Sequence, residues 1–572
     1  MQNDVDTPST TAASNTRRGL LLGGLAVAAT ACNRAADPVR RPAARRGTTT
    51  TSTTTSTSTT STTTTSSTTS TTTPSTTTTS TTVPGPTTTL PGAPSAPPTA
   101  LTADHVARRL TYGPTPELLA EINALGPAAW IETQLTMPAS ADATLDTQLR
   151  AAYPRTRNTA LENEALGSVW EVVSELPATT TIRAVCARRQ LFELTVAFLW
   201  DRFSVDIHHD RTQSSSGEYD TILRAGAFGR YADLLLAVAR SGAMMNYLNQ
   251  ASSRADGGRV PIENFAREIM ELHTVGVDGG YTDDDVVAVS YLLSGWTRQM
   301  VSWQWIGPYR FDGALHSLGP FTDPNRTVLG WSRGNLTGEA AGRSFIDHLA
   351  HHPATARRLA HHLAIRFIGD HVTANDAVVT AAAEAYLSAD TSITALLRSL
   401  LTSNDFAASA QRRIRRPLEL GAAMLRAVAG TTWGPADPTN AKWSMIGALD
   451  GLNHVPHWWP DPNGYPDRDS AWVGVGSMIG RWNLATWISA GDVPGFPIDW
   501  TAIRNWTPGT TIGAWFAAAC ARLGVTVSTT TRDRMLSELY RTAGSPLTQT
   551  GNEWAMRRLL TQLLQSVEFQ TR

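Results

Sequence analysis

The chain has 572 residues, and its 48 basic and 49 acidic side chains leave a net charge of −1. So even a balance gives no electrostatic ground for coating nucleic acid or for holding a membrane through basic charge. The 3 cysteines include no Cys-x-x-Cys pair, which excludes a thiolate zinc site; Cys186 and Cys520 leave one disulfide as an open alternative.

Residues 1–32 read as an export signal. In Thr16-Arg17-Arg18-Gly19-Leu20-Leu21-Leu22 an arginine pair stands directly before the apolar run Gly19 to Ala31. That run is too short to cross a hydrocarbon core of ~30 Å as a helix, but it suits the h-region of a signal peptide. Twin arginines at this place are the bacterial Tat signal, which exports folded proteins. The run ends in Ala29-Thr30-Ala31-Cys32, which resembles a lipobox with Ala29 where leucine is usual. Lipidation of Cys32 and plain cleavage after Ala31 both fit. The expected location is extracytoplasmic, either lipid-anchored at the cell surface or secreted, with a lipid anchor as the only membrane attachment.

Residues 33–100 follow as a linker. From Thr48 to Thr82 every residue is Ser or Thr except Pro74. Such a tract has almost no apolar surface to offset the entropy of ordering, so disorder is expected. Hydroxyl-dense tracts of this kind are often O-glycosylated, and this one would hold a globular body away from its anchor.

The body, residues 101–572, reads as all-α. Thr115-Pro116-Glu117 and Thr282-Asp283-Asp284-Asp285 are start signals, a capping hydroxyl followed by first-turn proline or acids. Apolar residues then recur at helical spacing over about Phe192–Phe203, Tyr231–Leu248, Pro261–Val275, Gly338–His351, Ala354–Ile368 and Ala374–Leu387. The pattern continues over Ile393–Leu401, Pro417–Val428, Ile512–Leu523, Asp533–Ala543 and Glu553–Val567. A hairpin near Val301–Phe311 is the one strand pattern. Arg298–Asn335 and Thr431–Asp469 read as long loop regions that carry many tryptophans, and loops of that length tend to be functional.

One helix carries the most specific local signal. Asn264, Arg267, Glu268 and Glu271 stand at i, i+3, i+4 and i+7, so they share one face, beside the apolar arc of Phe265, Ile269 and Leu272. Two carboxylates one turn apart can hold a cation or divide acid and base roles. The same stripe also fits a structural Arg-Glu-Asn network that fixes neighbouring loops. His316, in the loop Leu315-His316-Ser317-Leu318-Gly319, is the histidine that best completes a site. His348 and His352 have chelating spacing, although Pro353 makes a helix cap the commoner role for His352. His361-His362 follow, and His208-His209-Asp210 looks like an exposed loop cluster. Glu268, Glu271, Arg267 and His316 are therefore the candidate catalytic residues.

No Gly-x-Ser-x-Gly elbow, Walker loop or dinucleotide-binding glycine fingerprint is present, and neither His-Glu-x-x-His nor a Glu-x-x-His from the acidic helix occurs. These absences leave the cofactor and any metal unknown. The 18 tryptophans, with Trp303, Trp305, Trp331, Trp458 and Trp459 among them, suit sugar-stacking platforms or, more commonly, core and loop anchors.

Several segments together resemble a known family. They are His105-Val106-Ala107-Arg108-Arg109-Leu110-Thr111-Tyr112-Gly113-Pro114-Thr115, the Asn264–Gly276 helix, Tyr281 with Gly295-Trp296-Thr297, and Arg326-Thr327-Val328-Leu329-Gly330. The series continues with His352-Pro353-Ala354-Thr355-Ala356, Pro417-Leu418-Glu419-Leu420, Pro462-Asn463-Gly464-Tyr465-Pro466, Trp472 and Arg481-Trp482-Asn483. In this order they resemble the bacterial domain-of-unknown-function 1800 family, from about Asp104 to Glu568. The resemblance implies an exported helical protein of unsettled activity, with a neighbouring exported family, number 1501, as an expected partner. Two positions depart from the pattern: Arg202 in Trp200-Asp201-Arg202-Phe203 stands where many members carry histidine, and His316 is followed by Ser317 in place of aspartate. The leading expectation is a hydrolytic or metal-binding site on an envelope substrate. The competing expectation is a non-catalytic scaffold whose tryptophan loops bind cell-envelope glycan or protein.

Overall fold

Thr115 and Thr282 cap the helices that their neighbourhoods predict. The Thr115 hydroxyl accepts from the Leu118 amide at 3.2 Å. Thr282 forms a capping box with Asp285, each side chain accepting from the other's backbone N–H. Devices of this kind recur through the body, and among the described residues of this computed structural model there are 25 α-helices and two two-stranded sheets. The structure describes residues 100–572 other than 168, 210, 211, 411, 412, 492, 549 and 550. The arginine pair, Cys32 and the Thr/Ser tract lie outside the described residues. The body is all-α.

Three helices are buried all round, as elements at the centre of a helical assembly must be. Every residue of Pro417–Val428 is buried, and so is each one from Val172 to Val185 within Trp170–Cys186. Gln190–Arg202 is buried except at Ala197 and Asp201. The helix Pro417–Val428 packs on Trp170–Cys186, and Arg426 crosses the joint, donating to Gly113 O at 2.7 Å and Val185 O at 2.6 Å. The periodic runs at Ile393–Leu401, Pro417–Val428 and Ile512–Leu523 are helices with those same ends.

Elsewhere the boundaries moved for local reasons. The run Tyr231–Leu248 is two helices, Tyr231–Ala239 and Gly242–Tyr247, because Ser241 caps a new start at the Met244 amide. Trp170–Cys186 escaped the periodicity because Pro177 and Thr179-Thr180-Thr181 interrupt its apolar spacing, although Thr181 Oγ1 donates back to Pro177 O at 2.9 Å. Thr431–Asp469 is not one loop, since Asp437 caps the helix Pro438–Asp450 within it. A further helix, Val475–Ala490, follows.

The hairpin is Trp296–Val301 paired antiparallel with Gln304–Phe311, and its register shifts between Arg298 and Met300. Ser302 and Trp303 turn it with φ of 50° and 65°, the left-handed pair that fits the strand twist. Trp303 at its tip is 91% exposed, whereas Trp331 is buried and bonded to Ser344 Oγ at 3.1 Å. Cys186 and Cys520 are both free thiols, with burial pushing them up to about 12 and about 11.

Candidate functional site

The acidic helix is Asn264–Glu271, and its polar stripe is half-buried where Phe265 and Ile269 of its apolar arc are fully buried; Leu272, just past the helix, is half-buried. Arg267 turns outward to Glu263 at 3.3 Å and Asp283 at 3.0 Å, and forms no ion pair with Glu268 or Glu271 among the described residues. Burial and then the neighbouring Glu271 carboxylate push the Glu268 pKa up, with Arg267 pulling weakly the other way. His316 sits in a separate setting. A carbonyl can only accept, so His316 Nδ1 carries the proton and donates to Ser294 O at 2.9 Å, while its ring lies edge-on to Phe311. Burial lowers its pKa. Gly295 lets this loop close: a Cβ there would stand 2.5 Å from Asp312 O and 3.0 Å from His316 Cβ. Among the described residues no hydrogen bond or ion pair joins His316 to either glutamate of the stripe.

His352 is a helix cap, its Nδ1 accepting from the Ala354 amide at 3.2 Å, and His348 bonds Leu329 O at 2.9 Å. His208 packs against Trp458 with ring centroids 4.5 Å apart, and its neighbour Asp210 lies outside the described residues. No group of three or more His, Cys, Asp or Glu is arranged to hold a metal ion among the described residues.

Polar groups do converge elsewhere. The end of the Gln190–Arg202 helix, one face of Pro353–Phe367 and the loop 462–468 enclose a cleft of about 360 Å³. Arg358, His361, His362 and Ile365 line it at i, i+3, i+4 and i+7, one face of a helix. The opposite lip is the loop Pro462-Asn463-Gly464-Tyr465-Pro466. Gly464 has φ +70°, and a Cβ there would stand 2.0 Å from Asp201 O, so only glycine lets this loop seat on the Asp201 backbone.

Charge is distributed unequally around this cleft. Its two carboxylates are held from behind: Asp201 pairs with Arg416 at 2.7 Å, and Asp467 with Arg366 at 3.3 Å and Arg416 at 3.6 Å. Behind them Glu419 binds Arg366 at 2.8 Å and Arg572 at 3.0 Å, with all three side chains at most 2% exposed. Burial opposes ionisation of Glu419, but Arg572, Arg366 and Arg416 outweigh it and hold the carboxyl well below the usual range. Arg202, Arg358 and Arg468 also line the cleft, and none of the three forms an ion pair among the described residues. Arg202 is 8% exposed; it approaches the Tyr231 hydroxyl, and its Nε and Nη2 are buried without an acceptor. Arg358 donates to the carbonyls of Glu271 and Leu272, so it caps the acidic helix. Burial, then Arg202, lowers Arg358 to about 10. The same burial with Arg202 and Arg358 keeps His362 neutral, its pKa far below the ordinary value.

The candidate stripe and this cleft therefore meet at one place, the end of the acidic helix, where Leu272 enters the lining. In the sequence Arg202 stands out only as a departure from the family pattern and His361-His362 only as a pair, and Arg358 carries no signal of its own. The face shared by 358, 361, 362 and 365 was the readable signal.

Fold and cleft define an all-α protein with a polar cleft rich in guanidinium groups. Residues 105–571 match the model of a family described as protein of unknown function (DUF1800), and the chain belongs to that family. No curated protein and no solved structure matches.

Proposed function

We propose that this is an exported envelope protein that binds a small polar ligand in the cleft between Arg202, Arg358, His362 and the loop 462–468. The observation that carries the reading is a concave site walled by arginines that have no carboxylate partner among the described residues, built between the end of Gln190–Arg202, the helix Pro353–Phe367 and the loop 462–468. Buried guanidinium groups without counter-charge are costly, and a site that retains them gains from a ligand that satisfies them. Export rests on the arginine pair and the short apolar run, and anchoring on Cys32. The Thr/Ser linker would then present the cleft beyond the membrane, to envelope material or to a partner such as the 1501 family.

Native mass spectrometry of the exported protein tests the binding reading. A bound small molecule should accompany the wild type and be lost from Ile365→Trp, which fills the cleft; equal occupancy of the two would sink it. Replacing Arg17 and Arg18 by Lys should block export, since the Tat receptor reads the guanidinium pair and not charge alone. Cys32→Ser should release the protein into the medium if Cys32 is lipidated.

A second reading keeps hydrolytic chemistry at Glu268, Glu271, Arg267 and His316. Its support is the unpaired Glu268 carboxyl with a raised pKa beside Glu271, a fit for a general acid. A third, that the tryptophan loops bind cell-envelope glycan, draws on Trp303 alone at a fully open position.

A further inference from the structure

The cleft beside Arg202 and Arg358 has a lining of uneven charge. That charge narrows its ligand class. Arg202 and Arg358 stand close enough for each charge to be felt by the other, and Arg358 is within the field of Glu271 and Tyr281 without pairing to either. Arg468 adds a third guanidinium at the exposed rim. The negative groups of the lining, Asp201 and Asp467, are directed to Arg416 and Arg366 on the far side. Nε and Nη2 of Arg202 are the edge of a guanidinium fork, the pair of donors that meets two oxygens of one planar or tetrahedral oxyanion. A neutral sugar or peptide would leave those donors and the mutual repulsion of two arginines uncompensated. A single carboxylate would balance one of the two.

We infer that the cleft takes a phosphate-type dianion, free or as a phosphomonoester, seated between Arg202 and Arg358 with His362 beside it. This rests on the cleft being the ligand site. His362, held neutral, offers one ring N–H donor to an anion without adding a charge of its own. The acidic helix has a part in this site: its last carbonyls hold Arg358 Nη1, which fixes the guanidinium at the wall.

The test is calorimetric titration of the full chain with inorganic phosphate, at constant ionic strength set by chloride, with acetate and glycerol 3-phosphate as parallel arms. Saturable phosphate binding is expected, with acetate weaker. Arg202→Gln and Arg358→Gln should each weaken phosphate by about 10- to 100-fold, the usual worth of a hydrogen bond to a charged group. Glycerol 3-phosphate binding at least as tightly as phosphate identifies an ester as the ligand, and its exclusion identifies free phosphate. Because a buried arginine variant can misfold, the wild type's melting midpoint in phosphate against chloride is read as well. A phosphate-specific rise supports the inference. No phosphate binding by the wild type, or equal binding by wild type and both folded variants, overturns it. Phosphate binding that survives Ile365→Trp also overturns it, by removing the anion from the cleft. A neutral molecule found in the cleft by mass spectrometry leaves the binding reading standing and defeats only the anion inference.

Discussion

Two arginine- and glutamate-bearing segments of this protein look alike in sequence and behave oppositely in the fold. Glu263–Glu271 places its charges on a half-buried face, where Arg267 meets Glu263 and Asp283, side chains that are 40% and 88% exposed. Arg413–Glu419 drives three arginines and a glutamate into the interior, and neither its arginines nor Glu419 exceed 2% exposure. On the first segment water screens each charge, so pairing is optional. Inside the second, Arg413 is paired with Asp370 and Asp469, and ion pairs run from Glu419 through Arg366, Asp467 and Arg416 to Asp201 at the cleft wall, while Arg415 has the Phe569 carbonyl in place of a carboxylate. Density of charge along a sequence therefore says little; the depth at which the backbone sets it decides whether it is architecture or surface.

Breaking the deep network should have the largest effect. Glu419→Gln leaves Arg366 and Arg572 without their shared carboxylate, and should cost about 3–5 kcal/mol in chemical denaturation. The pH profile has a definite sign. The folded-state pKa of Glu419 is depressed, so its contribution is present above the unfolded value near 4.5 and is lost as pH falls through the folded one. Arg416 and Arg366 also hold Asp201 and Asp467, so the variant should loosen the cleft as well. A loss within 1 kcal/mol of that expected for an exposed pair, about 0–1 kcal/mol, would erase the contrast between the segments.

Glu175 sharpens the same point with the sign reversed. Its side chain is 6% exposed, but its one ion pair among the described residues is to Arg155 at 3.5 Å, itself 29% exposed. Burial wins here, and the carboxyl is pushed up to about 7. A folded pKa above the unfolded 4.5 means stability that is full below 4.5 and lost as pH rises through about 7. Glu175→Gln should therefore gain ~2–3 kcal/mol on the wild type between pH 4.5 and pH 8. Denaturation at both pH values checks it, and parallel profiles would show that Arg155 compensates the charge after all.

The smallest effects belong to the acidic helix. Glu268→Gln should hold stability or raise it by about 0.5–1 kcal/mol near pH 8, because it removes like-charge repulsion with Glu271 and leaves the pairs of Arg267 intact. Arg267→Gln should cost about 0–1 kcal/mol, the worth of an exposed pair. A loss of several kcal/mol from Glu268→Gln, measured by chemical denaturation, would mean that this carboxylate serves a buried partner like that of Glu419.

Local chemistry was legible wherever one segment suffices to express it. The capping hydroxyls of Thr115 and Thr282, the ends of Ile393–Leu401 and Pro417–Val428, the hairpin before Phe311 and the cap at His352 are all short-range arrangements, satisfied within a few residues of chain. The helix Trp170–Cys186 was not legible, because proline and threonine blur a periodicity that burial on all sides does not require, and Pro438–Asp450 was not, because Lys442 stands on the one face it buries while Trp443 is exposed. By itself the sequence determined the all-α class and the family, since composition and spacing are properties of the chain alone. Only the tertiary structure decided which charges are buried and which cleft they line. Arg202, Arg358 and Asp467 are far apart in the chain, and it is the seating of Gly464 on the Asp201 backbone, a contact no spacing records, that brings their walls together.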